Sequence, residues 1–494
     1  MGSGARTGLL DRLPPWAGAF SVGCWLIAAA GLVAAIAAFA GGERRDPGLE
    51  MWVFADIHKK LYDPIVLDWN QSVGQNGAHL EDGIDKKPVN LTMLGQPALL
   101  RRMLAGFFGG LPTADLIEVE RTMAGQLFAG PVEAVGFVDL TDRLKEEGLY
   151  DAVPAASRSP WTTRGRTFGL PHDVHPVLLG VRMDLALDAG ISRDEVRGIE
   201  TWDDLRRVLG PLMADADGDG QPDRYLLSFW PTESHRDKIE MLLLQSGTGF
   251  FDADGMPVIA SDANARTLAR MVSWCVGPDR IAADVRDFDA TGNQLKTDGY
   301  AVTYFMPDWM CAVWKNELPN MAGKLELIPL PAAEPGGRRT SVWGGTMLGI
   351  PKTAQDFEAA WAFAKRLYFS PDLARELYIS SDIVTPIEAL WDDPVYGEAD
   401  EYFRGQAKGR LYIEQIPEVP ARNASPYSQI AILRVADAAT KLHRWAQENG
   451  LTEASALEAE AMRVLERAEE AVRRPMERNL FLDQDEESAY GGGR

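Results

Sequence analysis

Two tryptophans, Trp309 and Trp343, stand where the chain can offer ring faces to a ligand. The first follows a Gly-led apolar run, GYAVTYFMPDW, in which Pro307 and Asp308 mark a strand end. The second precedes Gly344 and Gly345, then a short apolar run ending in Ile350-Pro351-Lys352. Flat rings beside glycines, which let backbone approach closely, supply a stacking surface with hydrogen-bonding groups at hand. Such a surface suits a polar ring such as a sugar. Glu118 and Glu120 close the run ADLIEVE, and carboxylates there can accept hydroxyl protons in charge-assisted bonds. Asp173 and His175 in GLPHDVH, and Asp56 after an earlier strand, join the candidates. His172 and His175 also have the spacing of a metal pair, but no third ligand accompanies them, and hydrogen bonding is the preferred reading.

A different chemistry is suggested by the loop DADGDGQPD. Asp215, Asp217, Asp219, Gln221 and Asp223 alternate, and Gly220 is sixth, as in the first nine positions of an EF-hand loop. The twelfth position is Leu226 instead of Glu. The pattern is compatible with a structural calcium ion or with a tight acidic turn, and no other pattern calls for a cofactor. Gly-x-Ser-x-Gly, His-Glu-x-x-His and Gly-x4-Gly-Lys-Ser/Thr are all missing from the sequence, which argues against an enzyme. The enzymatic alternative is a glycosidase using Glu118 and Glu120 as its carboxylate pair.

The elements that hold these residues follow from length and patterning. A chain of 494 residues exceeds one ordinary core and predicts at least two lobes. With 72 acidic and 50 basic residues the net charge is -22, which disfavours a nucleic-acid partner. The cysteines are Cys24, Cys275 and Cys311; the last two can pair in an exported chain or lie as two buried thiols. Residues 13–42 carry no charge and are long enough to cross a bilayer, with Arg6 and Arg12 before them and a charged linker after. A retained anchor is favoured slightly over a signal peptide cleaved near Ala38-Phe39-Ala40, and a lipoprotein reading through Cys24 is weaker. Either way the remainder is exported.

Beyond the linker, strands are expected at 49–54, 89–94 and 114–119, alternating with helices at 58–70 and 97–108, the second closed by Gly109-Gly110. This alternation predicts a mainly parallel sheet. Residues 74–87 read as a polar loop. Thr201 reads as the N-cap of a helix, 354–370 and 371–379 as helices, and 457–474 as an amphipathic helix. The tail 483–494 is polar and Gly-rich and is expected to be disordered.

Several short stretches occur in a telling order: FFGGLPTADLIEV, GFVDLTDRL, TFGLPHDVHPVLLGVRMDLALDAGI with TWDDL, LGIPKTAQDFEAAWAFAKRLYFSPDLARELY, and ISSDIVTPIEALWDDP. In that order, across roughly 49–474, the chain resembles extracellular solute-binding protein family 1, the sugar-binding proteins of ABC importers related to the maltose-binding protein. The resemblance implies an α/β fold of type II with two lobes, each discontinuous in sequence, and a hinge. Lobe 1 would comprise 49–175 with 347–394, and lobe 2 would comprise 176–346 with 395–475, after an N-terminal region 1–48 and before a tail 476–494. It implies that a sugar or oligosaccharide binds between the lobes and passes to ABC permease subunits, at the periplasmic or extracellular face of the membrane. A ligand-sensing module for a membrane receptor is the alternative on the same fold. Trp230, in SFWPTES, resembles the family's second-lobe aromatic-proline wall, and the acidic loop resembles a calcium loop of galactose-binding proteins that a distant carboxylate completes. The chain departs from the family at Val181-Arg182, where many relatives carry Tyr-Asn, and at His172 and His175.

Overall fold

Alternation along the first strand sets the architecture. In β1 (Leu49–Val53), Leu49, Met51 and Val53 enter one apolar core while Trp52 enters another, so the sheet is covered on both faces. The computed structural model describes residues 48–73, 86–213 and 222–479, with Gly31, Asp215 and Gly218. Residues 1–48 form one unit and 49–494 another. Among the described residues no helix is long and apolar enough to cross a membrane. The apolar run 13–42, apart from Gly31, lies outside them, as do Cys24, most of the loop 74–87 and the tail 483–494.

The chain continues through α1 (Asp56–Val73), β2 (Val89–Met93), α2 (Gln96–Gly109), β3 (Leu116–Glu120) and α3 (Arg121–Leu127). Gly110 ends α2 in the left-handed region at φ 66°, donating its N–H to the Gly106 carbonyl. After β4 (Leu170–Pro171) the chain crosses to a second sheet. That sheet comprises β5 (Val177–Arg182), β6 (Tyr225–Ser228), β7 (Ala282–Ala283), β8 (Ala301–Pro307) and β9 (Leu325–Pro329). Between its strands lie α4 (Arg236–Gln245), α5 (Asp262–Ser273) and α6 (Asp308–Glu317). The chain then returns as β10 (Thr346–Gly349) to the first sheet and adds α7 (Phe357–Phe369), α8 (Pro371–Ser381), α9 (Ser428–Asn449) and α10 (Ala454–Met476).

The two five-stranded sheets have the orders β2-β1-β3-β10-β4 and β9-β5-β8-β6-β7. The expectation of a mainly parallel sheet needs correction. β1 runs parallel to β2 and β3, but β10 is antiparallel to both β3 and β4, and β5 is antiparallel to β8 and β9. The strands that cross between sheets arrive from the opposite end, which local alternation cannot reveal. The crossing segments lie side by side: Pro176 bridges Val342, the Trp343 N–H reaches the His175 carbonyl at 3.3 Å, and the His172 N–H reaches Thr346 at 3.0 Å. Two lobes are thus joined by adjacent extended segments.

Local readings of the helices fare well. Thr201 caps its helix through a capping box with Asp204. Leu457, Ala461, Val464, Leu465, Ala468 and Val472 of α10 are all buried, packed with α5 and α9 in the second lobe's core. Cys275 and Cys311 are free and buried; the Cys311 sulfur lies 3.1 Å from the Tyr412 hydroxyl.

Candidate functional site

The carboxyl ends of the parallel strands of both sheets meet at one cleft, a cavity of about 530 Å³. From the first lobe it is lined by Phe54 and His58 after β1, Gln96 after β2, Glu120 at the end of β3, and Arg121 and Thr122 after it. The second lobe contributes His235 to Lys238 after β6, Asp287 and Phe288 after β7, and Trp309 after β8. The crossing segments supply His175, Trp343, Gly344 and Gly345.

Trp309 and Trp343 meet edge to face, with ring centroids 5.7 Å apart and planes at 83°. The Trp309 indole N–H donates to the Trp343 carbonyl at 2.8 Å, which fixes the pair. Trp343 is nearly buried, while Trp309 is half-buried and stacks on Phe288 with planes 13° apart. Phe288 is 59% exposed and has φ 62°, unusual for a bulky residue. Gly344 and Gly345, at φ 119° and 137°, let the backbone pass between these rings.

Behind the rings runs a chain of buried polar groups. His175 places Nε2 2.9 Å from Asp173 and Nδ1 2.6 Å from Asp308. Burial would lower the imidazole, but the two carboxylates dominate and push it up to about 10. Asp308 in turn accepts the N–H groups of Trp309 at 2.8 Å and Val384 at 2.9 Å. With both ring nitrogens facing carboxylates, His175 serves hydrogen bonding, and among the described residues no cluster suited to a metal occurs.

Glu118 lies under the cleft and does not line it. Strand alternation sends Ile117 and Val119 to one face of the sheet and Leu116 and Glu118 to the other, beneath α1 and α7. There Glu118 accepts from the Tyr62 and Tyr368 hydroxyls at 2.8 and 2.9 Å and meets His58 Nδ1 at 2.8 Å. Burial would raise this carboxyl, but the His58 and His172 rings and the Tyr62 hydroxyl hold it below its ordinary value. Glu120 shares that face, but at the strand end it emerges into the cleft, where its carboxylate caps α3 through the Thr122 N–H at 2.9 Å. Burial raises the Glu120 carboxyl.

The remaining candidates divide. Trp309, Trp343, Gly344, Glu120 and His175 share the cleft lining, and Asp173 stands behind His175. Asp56 is exposed and paired with Lys60 at 2.6 Å, although its neighbours Ala55 and Ile57 line the cleft. Trp230 is not in the lining and packs its ring on His443 of α9 at 5.0 Å. Of the acidic loop, Asp215 accepts the Gly218 N–H at 2.7 Å, while Asp217, Asp219 and Gln221 lie outside the described residues.

Bacterial extracellular solute-binding proteins match this chain over residues 89–370, more than half its length. The chain belongs to that family. The arabinooligosaccharide-binding protein of Halalkalibacterium halodurans is 22% identical over 77% of this chain and 81% of its own. That of Bacillus subtilis is 23% identical over 66% of this chain and 70% of its own. Among solved structures, the sugar-binding protein MalE of Xanthomonas citri superimposes with a TM-score of 0.67 at 16% identity, over 87% of this chain and 98% of that one. An extracellular solute-binding protein acts outside the cytoplasm, so a periplasmic or extracellular location follows from membership.

Within this family member, sequence reasoning passed over Arg121, Asp237, Lys238 and Phe288 in the cleft. The rule that ligands gather at strand ends reaches Arg121, the residue after β3; Phe288 follows a two-residue strand with no sequence signature. The crowding at Gly344 gives a direct test. A Cβ there would lie 2.5 Å from His175 Cδ2 and 3.0 Å from Trp309 Nε1. Gly344→Ala is expected to destabilise the fold by about 2–4 kcal/mol through overlap and backbone strain, read as a lower urea midpoint.

Proposed function

We propose that this solute-binding protein captures a sugar or oligosaccharide in the cleft and delivers it to an ABC permease. The observation that carries this is the meeting of Trp309 and Trp343 at a cavity bordered by strand ends from both lobes. Their rings give an apolar surface, and Glu120, Gln96 and Lys238 around them give polar partners suited to hydroxyls. The arabinooligosaccharide-binding relatives support the same class of ligand. The chemistry is recognition without reaction: Glu118 is sequestered by two tyrosines and a histidine, so a Glu118–Glu120 pair working across a glycosidic bond finds no support.

In this reading the lobes comprise 49–175 with 347–394 and 176–346 with 395–475, and they close over the ligand by bending of the crossing segments. The apolar run 13–42 exports or tethers the chain. A calcium ion in the loop 215–223 is supported by the spacing of its oxygen donors, and calcium titration at millimolar concentration tests it.

Calorimetric titration with a panel of mono- and oligosaccharides tests the main reading. Trp309→Ala should weaken the sugar that binds by at least about 2 kcal/mol, roughly thirtyfold. Binding of another solute class with none of the panel bound would overturn the sugar assignment.

A further inference from the structure

His58 stands between the cleft and the buried network around Glu118. It lies in the first turn of α1, and Tyr62, one turn further on, shares its sheet-facing side. His58 Nδ1 meets Glu118 Oε2 at 2.8 Å, whereas the Tyr62 and Tyr368 hydroxyls both donate to Oε1, at 2.8 and 2.9 Å. Glu118 is wholly buried, but 8% of the His58 side chain is exposed, and the residue lines the cleft. The Nε2 atom of His172 is buried without a partner; that of His58 also has none among the described residues, but it keeps accessible surface. The polar atom that His58 offers to the cleft is therefore Nε2.

Glu118 dictates which hydrogen the ring carries. Burial would raise this carboxyl, but the His58 and His172 rings and the Tyr62 hydroxyl hold it below its ordinary value, so it is ionised at neutral pH. An ionised carboxylate only accepts, and its bond to His58 requires a hydrogen on Nδ1. In the neutral ring Nε2 is then a bare acceptor. The two tyrosines on Oε1 hold the carboxylate's orientation, which keeps Oε2 on His58. The neighbouring His172 ring, 5.0 Å away between centroids, turns its own Nδ1 to Asp173 at 3.2 Å.

We propose that Glu118 is a positioning residue that fixes the tautomer of His58, and that His58 Nε2 selects ligands by accepting a hydroxyl hydrogen in the cleft. The proposal rests on the sugar reading above and adds the polarity of one contact. A hydroxyl can donate to Nε2. An ether or carboxylate oxygen cannot, and its lone pairs would face that of the ring nitrogen. At this point the cleft prefers a free hydroxyl to its methyl ether or to an acid group.

Glu118→Gln tests this by a one-atom change. The tyrosines keep Oε1, so the amide nitrogen takes the Oε2 position and donates to Nδ1, which moves the ring hydrogen to Nε2. Nitrogen–proton NMR of the histidine rings in the full chain at neutral pH reads the tautomer, with the His58 signal identified by its loss in His58→Asn. Wild type should show a bare Nε2 and Glu118→Gln a protonated one. The same proteins are titrated with the saccharide panel, led by arabinobiose and maltose. For a sugar that binds wild type, Glu118→Gln should weaken binding by about tenfold or more. His58→Asn, whose amide can still donate to Glu118 but stops short of the cleft, should do the same. A protonated Nε2 in wild type overturns the proposal. So does a Glu118→Gln ring that keeps the wild-type tautomer, or one that flips with affinity unchanged. Should Glu118→Gln fail to fold, the wild-type spectrum and His58→Asn decide, and undiminished affinity in His58→Asn overturns it. If no sugar of the panel binds wild type while Nε2 is bare, the sugar reading fails and the selection of hydroxyls falls with it, whereas the tautomer lock stands.

Discussion

Replacing His175 by glutamine is expected to destabilise the fold by about 3–5 kcal/mol and to remove a loss of stability at alkaline pH. His175 sits between two buried carboxylates, Asp173 at 2.9 Å and Asp308 at 2.6 Å, on the first crossing segment. A glutamine amide is neutral and cannot satisfy both, so at least one carboxylate is left buried without a cation. The imidazole of His175 is pushed from 6.5 up to about 10, against the effect of burial, by Asp173 and Asp308. A raised value means that its stabilisation is complete below pH 6.5 and is lost as pH rises through about 10. Asp173 is the mirror case. Burial opposes it, but His175 and His172 hold it below its ordinary 3.8, so its contribution is present above that pH and fades as pH falls. Urea midpoints from pH 4 to 10 check this: wild type should weaken between pH 6.5 and 10, and His175→Gln should start low and lack that decline. A variant within about 1 kcal/mol of wild type, with the same alkaline decline, would contradict the account. Because Asp308 also holds the Trp309 N–H, the variant should weaken ligand binding as well.

Arg121→Met is expected to cost about 3 kcal/mol, and Glu240→Gln should recover part of it. Arg121 leaves the end of β3 in one lobe and reaches Asp237 and Glu240 on α4 of the other. Removing the guanidinium leaves the buried Glu240 with only Arg422 nearby, at 3.8 Å. Arg422 is itself brought down to about 10 by burial and by Arg121, so loss of Arg121 relieves Arg422 while it leaves the buried Glu240 with one longer, weaker pairing. A double-mutant cycle separates these effects. The coupling between Arg121 and Glu240 should exceed about 1 kcal/mol; additivity within about 0.5 kcal/mol would show that the bridge contributes nothing specific.

Both predictions concern residues at the meeting of the lobes, and they differ in how visible they are in sequence. His175 stands near Asp173 where the chain is expected to cross between lobes, but its second partner, Asp308, is 133 positions away. The tryptophan pair is flanked by glycines and a proline, which are local signals. Arg121 carries only its place after β3, and its partners belong to α4 of the other lobe. Trp230 shows the converse: its proline neighbour fits an aromatic wall, yet its ring faces α9, a helix that packs there from far along the chain. The expectation of a mainly parallel sheet failed for the same reason, since β10 enters the first sheet only after the chain has built the second.

Legible from the chain alone were β1 to β3 with α1 and α2, the pair α7 and α8, the caps at Thr201 and Gly110, the buried face of α10 and the family to which the chain belongs. These depend on periodicity and on neighbours a few residues apart. Which charges face the ligand cleft depends instead on packing between distant segments. Glu118 and Glu120 point to the same side of one strand, but α1 and α7 cover the first and stop short of the second. Whether a carboxylate meets solvent or a tyrosine is set by elements that pack across the sheet, and no spacing along the strand records it.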